Sequence, residues 1–250
     1  MAKLEAGTLD TKYVIDDSYE LSDYRISDEE SMPEDRDATT NTTAKNLKEF
    51  IEKTNANKGY YIARYEASYD SGYNASGTTA TEKFSNAKPL SKPSTAFNEG
   101  DDMTYEEGTL WTYITQAQSA IVSQNMYKNN NYVESDLINS YAWDTAIVYI
   151  QAMGNTNYAN ADRDTVGNIS VMNTGSTGDQ KCKIFDMAAN AQEWSTESGN
   201  AENTYDEDPW TARGGISDGS VYHTSTRCRK DCAGYSNGQD ISFRTIIYVK

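Results

Sequence analysis

From Gly154 onward the chain offers only short apolar runs, each cut off by Gly, Asn, Asp or Ser, until a final stretch at 241–249 carries Phe243, Ile246, Ile247 and Val249. Helices of ordinary length need longer unbroken patterns, so this half must fold as short strands joined by turns and loops. The first half differs. Leu47, Phe50 and Ile51 fall at i, i+3 and i+4, which predicts a short amphipathic helix beginning near Thr43 and docking on the body of the domain. Thr115 is placed to cap a helix whose Ala117, Ala120 and Ile121 share a face. Asn139 or Ser140 is placed to cap another, with Trp143, Ala146, Ile147 and Ile150 at i, i+3, i+4 and i+7. Residues 59–68 read as a Tyr/Ile-rich strand, and 69–109, rich in Ser, Thr, Gly, Asn and Lys, as a long surface excursion. Early helices, a loop-dominated second half and a closing strand do not build a doubly wound sheet or a repeat array. They fit an α+β domain with small antiparallel sheets, two to three helices and long loops.

Charge narrows the function. With 38 Asp and Glu against 22 Lys and Arg, the chain carries a formal charge of −16 and repels the phosphate backbones that nucleic-acid binders hold with clustered cations. No stretch approaches the ~18 apolar residues of a membrane span. The N-terminus has no apolar h-region, so no signal peptide is expected. Residues 1–42 are acidic and aliphatic-poor, with Asp16 and Asp17, Asp28 to Glu30, and Glu34 and Asp35 around Pro33, although Tyr13, Val14 and Ile15 could add a short strand. This segment reads as an arm for attachment or oligomerisation, and 43–250 as the folded domain. The single His, His223, excludes multi-histidine metal sites, and any Ser-His or Cys-His reaction centre would have to use it. Cys228 and Cys232 stand in C-x3-C spacing without a second pair, which suits a free or locally bridged pair better than zinc. Tyr outnumbers Phe 19 to 5, a hydrogen-bonding aromatic set suited to exposed binding faces rather than to a core.

Six segments, taken in order, resemble the formylglycine-generating-enzyme-like (sulfatase-modifying-factor) branch of the C-type lectin fold. The string YIARYEAS at 61–68 is similar to that family's opening strand, and Ile114 and Thr115 to its first helix start, with Gln116 and Gln118 replacing Trp and Asp. Residues 137–146 keep Leu137, Trp143, Asp144 and Ala146 of a second helical motif. The most specific piece is IFDMAANAQEW at 184–194, followed by RGG at 213–215 and ISFR at 241–244. The resemblance implies a C-type-lectin-like domain whose N- and C-terminal strands pair, with helices flanking the sheet and long functional loops. It also implies a structural calcium ion held by the Asp186 and Glu193 carboxylates and the Ala189 and Ala191 carbonyls; the competing reading has Asp186 capping a turn and Glu193 paired with an Arg. A second family calcium site would begin at Asn168 and Ile169. The family's two copper-binding cysteines map to Gly219 and Thr224, which cannot ligate copper(I), so no copper is expected, and a single His excludes the related iron sites.

The segment 216–240 is dominated by Ser, Gly, Asn, Asp and Tyr, the mixture that paratopes use. It is similar to the variable region of diversity-generating-retroelement proteins, and a phage or bacterial-surface origin would go with it. These features point to a non-catalytic display protein that binds a protein or glycan receptor through Asp218, Ser220, Tyr222, His223, Tyr235, Ser236 and Asn237, with Trp210 at the edge. Two alternatives stand beside it: a divergent copper oxidase using Cys228 and Cys232, and a structural virion or surface subunit.

Overall fold

A computed structural model describes residues 2–4, 47–56, 58–96, 105–161, 171–198, 210–215, 225–232 and 240–250. In chain order its elements are β1 (Ala2–Leu4), α1 (Leu47–Ala56), β2 (Tyr60–Ile62), β3 (Ser68–Ser71), α2 (Ala80–Phe84), β4 (Lys88–Leu90), α3 (Gln116–Asn125), β5 (Val133–Leu137), α4 (Ser140–Ala152), β6 (Gln180–Lys181), β7 (Ile184–Phe185), β8 (Gln192–Ser198), β9 (Trp210–Arg213), β10 (Arg229–Cys232), β11 (Ile241–Phe243) and β12 (Thr245–Val249). The α+β class expected from the sequence is what forms. Among the described residues there are four α-helices rather than two or three, because α2 nucleates inside the expected excursion. Thr79 accepts from the Glu82 amide while the Glu82 side chain accepts from the Thr79 amide, a reciprocal cap that holds even this short helix. The same stretch also supplies most of the antiparallel pair β3–β4, whose connection carries α2.

Two four-stranded sheets, β1-β2-β12-β5 and β10-β9-β8-β11, carry the domain. The first is antiparallel throughout. The second is antiparallel apart from one parallel pair, β8 with β11. The stretch at 241–249 and the run at 59–68, each read as a single strand, both break in the middle. Phe243 ends β11 in one sheet and Thr245 starts β12 in the other, leaving Arg244 at the junction. The earlier run follows the same path: the Ala63 amide donates to the Thr245 carbonyl and the Ala67 amide to the Phe243 carbonyl. The expected pairing of early and late strands is present as β2 with β12.

The caps form at the expected residues. The Asn139 side chain accepts from the Ala142 amide at 2.8 Å, and Thr115 exchanges bonds with Gln118. Trp143, Ala146, Ile147 and Ile150 of α4 are all buried, in one apolar cluster with Ile62, Ile246 and Phe50. A second cluster gathers Trp111, Ile114, Leu137, Trp194 and Phe243. In α1, Phe50 docks against Tyr60, Tyr141 and Tyr248, while Ile51 faces solvent. Tyr is therefore also a core residue here, which corrects the reading of it as a surface set. Tyr60 donates to the Ala142 carbonyl, Tyr158 to Asp179, and Tyr248 accepts from Asn139, so each buried hydroxyl keeps a partner. The start of the acidic arm joins the first sheet as β1. Among the described residues no helix is long and apolar enough to cross a membrane.

The hairpin β6–β7 turns through Cys182 and Lys183, both at positive φ (52° and 65°), where Asn-Gly is the low-strain choice. Lys183→Gly should therefore stabilise the domain by about 1 kcal/mol in a urea melt. Gly214 sits at φ +88°, and an added Cβ would stand 2.8 Å from the Met187 carbonyl oxygen and 3.2 Å from the Trp143 ring. Gly214→Ala should cost more than about 2 kcal/mol in the same assay.

Candidate functional site

Four carboxyl groups and one guanidinium meet where the sheets join. Glu66 lies in the link between β2 and β3, Asp179 and Asp186 on the turns around β6 and β7, Glu193 on β8, and Arg244 at the β11–β12 break. Glu66, Glu193 and Arg244 are each 0% exposed, and the two Asp residues 1%. Burial of this kind demands a partner for every oxygen.

Each oxygen has one. Arg244 donates from Nε to Glu193 Oε2 at 2.9 Å and from an Nη to Oε1 at 2.5 Å, a bidentate fork. Its other donations go to the carbonyls of Ala63 (2.9 Å) and Phe185 (2.8 Å). Glu66 accepts from the Ala191 amide, the Asn190 side-chain amide and the Thr174 hydroxyl. The Met172 amide donates to the other end of the Asn190 side chain and so fixes its orientation. Asp186 accepts from the Gly175 amide and the Thr177 hydroxyl, both at 2.6 Å. Asp179 accepts from Tyr158 and from the Ala188 amide. Asp186 and Asn190 take left-handed backbone angles, φ 65° and 74°, which these two residue types tolerate best after Gly.

Four carboxylates beside one cation cannot all ionise cheaply in a dry site. Burial pushes Glu66 well above the usual carboxylate range, and the charges of Asp186 and Glu193 push the same way. Burial also raises Asp186, to about 6, against the bonds from Thr177 and Gly175. Glu193 rises through burial despite Arg244, and Asp179 rises through burial as well.

A second buried pair stands nearby. The Arg213 guanidinium donates to Asp144 at 2.6 Å, to the Ser140 hydroxyl and to the Cys228 carbonyl, and lies over the Trp143 ring. It ties the end of β9 to α4 and to the approach of β10.

Of the eight residues expected to bind ligand, Asp218, Ser220, Tyr222, His223, Tyr235, Ser236 and Asn237 lie outside the described residues, as do Gly219, Thr224, Asn168 and Ile169. Trp210 opens β9 opposite Cys232 and Ser198, and its side chain is outside the described set. Cys228 is buried, and Cys182 sits at the tip of the β6–β7 hairpin. The Asp186 and Glu193 carboxylates are brought into one centre, but through protein donors, as in the competing turn-and-Arg reading. Among the described residues no group of three or more His, Cys, Asp and Glu side chains is placed to hold a metal ion.

Glu66, Asp179 and the role of Arg244 are absent from the residues expected on sequence grounds. Glu66 and Arg244 do stand inside the strings at 61–68 and 241–244, where a charged residue within a run rich in apolar and aromatic residues is the available signal, one that Arg64, half-buried and bonded to the Lys183 carbonyl, shares. Gln192, next to Glu193 and fully buried, has neither end of its amide hydrogen-bonded, and its backbone amide holds the Asp240 carbonyl at the base of the 216–240 segment. Comparison with protein-family models, curated proteins and solved structures finds no match to this chain.

The raised carboxyl groups fix the sign of the pH dependence. A carboxyl whose folded pKa exceeds its unfolded value contributes stability that is complete below about pH 4 and is lost as pH rises through the folded value, about 6 for Asp186. The domain should therefore be less stable at pH 8 than at pH 5. An Asn at this position tolerates the left-handed backbone, accepts from the Gly175 amide and donates to the Thr177 hydroxyl, all without the charge. In urea titrations Asp186→Asn should gain on the wild type by roughly 1.5 kcal/mol between pH 5 and pH 8, because about half of the wild-type penalty has already developed at pH 5; a difference between the two proteins that is the same at both pH values would refute this account.

Proposed function

We propose that this chain is a non-catalytic display protein with a C-type-lectin-like domain, which binds a protein or glycan receptor through the segment 216–240. One observation carries the reading. The segments 216–224 and 233–239 are joined to β9, β10 and β11, and two of these strands are tied to the body of the domain by fully buried Arg–carboxylate pairs, Arg213 at the end of β9 with Asp144 and Arg244 just after β11 with Glu193. Recognition loops are most effective when a rigid scaffold fixes where they start and end.

Composition supports the same reading. Within 216–240 the chain has four Ser, three Gly, three Asp and one Asn around Tyr222 and Tyr235, so two large aromatic contacts would be set among adaptable polar ones. The acidic segment at the N-terminus would serve attachment or assembly on a virion or cell surface.

The test uses the full chain on a glycan array and on a panel of purified cell-surface proteins. The variant Tyr222→Ala/His223→Ala/Tyr235→Ala/Asn237→Ala should keep its Tm within about 2 °C and lose at least about tenfold of any binding signal, as removal of aromatic hot spots does. Binding that survives the variant, or a collapsed Tm, counts against display through this segment. Copper(I) titration with Cys228→Ser/Cys232→Ser as control separates the oxidase alternative: tight, cysteine-dependent binding with oxygen uptake would replace the display reading.

A further inference from the structure

We infer that Arg244 takes the place of the calcium ion that the family resemblance implies at 186–193, so that this centre is complete without a metal. The donor set carries the inference. The implied ion would be held by two carboxylates and two backbone carbonyls. Arg244 gathers oxygens of the same kinds: both from Glu193, and the carbonyls of Ala63 and Phe185. Asp186, the other implied ligand, has one oxygen on the Gly175 amide and the other on the Thr177 hydroxyl.

Calcium needs six to eight oxygens at about 2.3–2.6 Å, with carboxylates free to turn toward it. Here the Glu193 carboxylate faces a guanidinium, and an ion bound to the same oxygens would stand a few ångströms from a fixed positive charge with little water to screen it. A guanidinium is also the cation least costly to bury, being delocalised and weakly hydrated, and its planar fork matches a carboxylate edge to edge. Arg244 is the one residue between β11 and β12, so the cation is covalently part of the junction that it neutralises. This role holds whether or not the segment 216–240 binds a receptor.

The experiment compares melting of the full chain and of Glu193→Gln in 5 mM calcium chloride and in 5 mM EGTA. The wild-type Tm should agree between the two buffers within about 1 °C, and Glu193→Gln should lower it by the same amount in both, because the bond lost is to Arg244. A wild-type Tm several degrees higher in calcium, with the Glu193→Gln loss confined to the calcium buffer, would overturn the inference. If Glu193→Gln does not fold in either buffer, the wild type decides. Calcium added back to a chelated sample should leave the Tm unmoved, and a rise of more than about 2 °C would overturn it.

Discussion

The Arg244 guanidinium is the point at which two sheets become one domain. A strand that leaves one sheet and enters another must bend, and at the bend its backbone groups lose their ladder partners. Here the Arg244 carbonyl is taken by the Ile138 amide, while its side chain reaches across to Glu193 on β8 and to the carbonyls of Ala63 and Phe185. One residue thus connects the closing strand to β8, to the link after β2 and to β7. A buried ion pair is weak evidence of net stability, since desolvating both charges offsets most of their attraction. Its larger effect is on uniqueness, because a shifted register would leave both charges buried without partners.

The acid excess of the chain acquires an internal component. Glu66, Asp179, Asp186 and Glu193 surround a single guanidinium, and a dense set of donors from amides, hydroxyls and Asn190 offsets their repulsion, while burial and mutual charge raise the Glu66 pKa. The left-handed backbone at Cys182, Lys183, Asp186 and Asn190 belongs to the same region, since wrapping a short chain segment around buried carboxylates requires amides to turn inward. Strain and charge are therefore concentrated beside the sheet junction, and the two apolar clusters on either side hold them in place.

Arg213 ends β9 just before the segment 216–240, Arg244 directly follows β11 after it, and Gly214 lets the chain leave β9 against the Trp143 ring, where any Cβ would collide. Under the proposed function, substitutions in that segment would change what is presented while the anchors stay fixed.

Helices α3 and α4, their caps at Thr115 and Asn139, and the buried face of Trp143, Ala146, Ile147 and Ile150 were legible in the sequence, because they depend on neighbours within a few turns of one helix. So were the α+β class and the strand composition at 59–68 and 241–249. Where those two runs break was not legible. Glu66 is held by Asn190 and Arg244 by the Ala63 carbonyl, partners more than 100 positions away in each case. Nor could the sequence assign Asp186 and Glu193 between a metal ion and an Arg, because a carboxylate in a motif is the same residue whichever cation faces it. In three dimensions a guanidinium meets Glu193 and separate donors meet Asp186, contacts that only the fold creates, since a buried charge is defined by its surroundings in space.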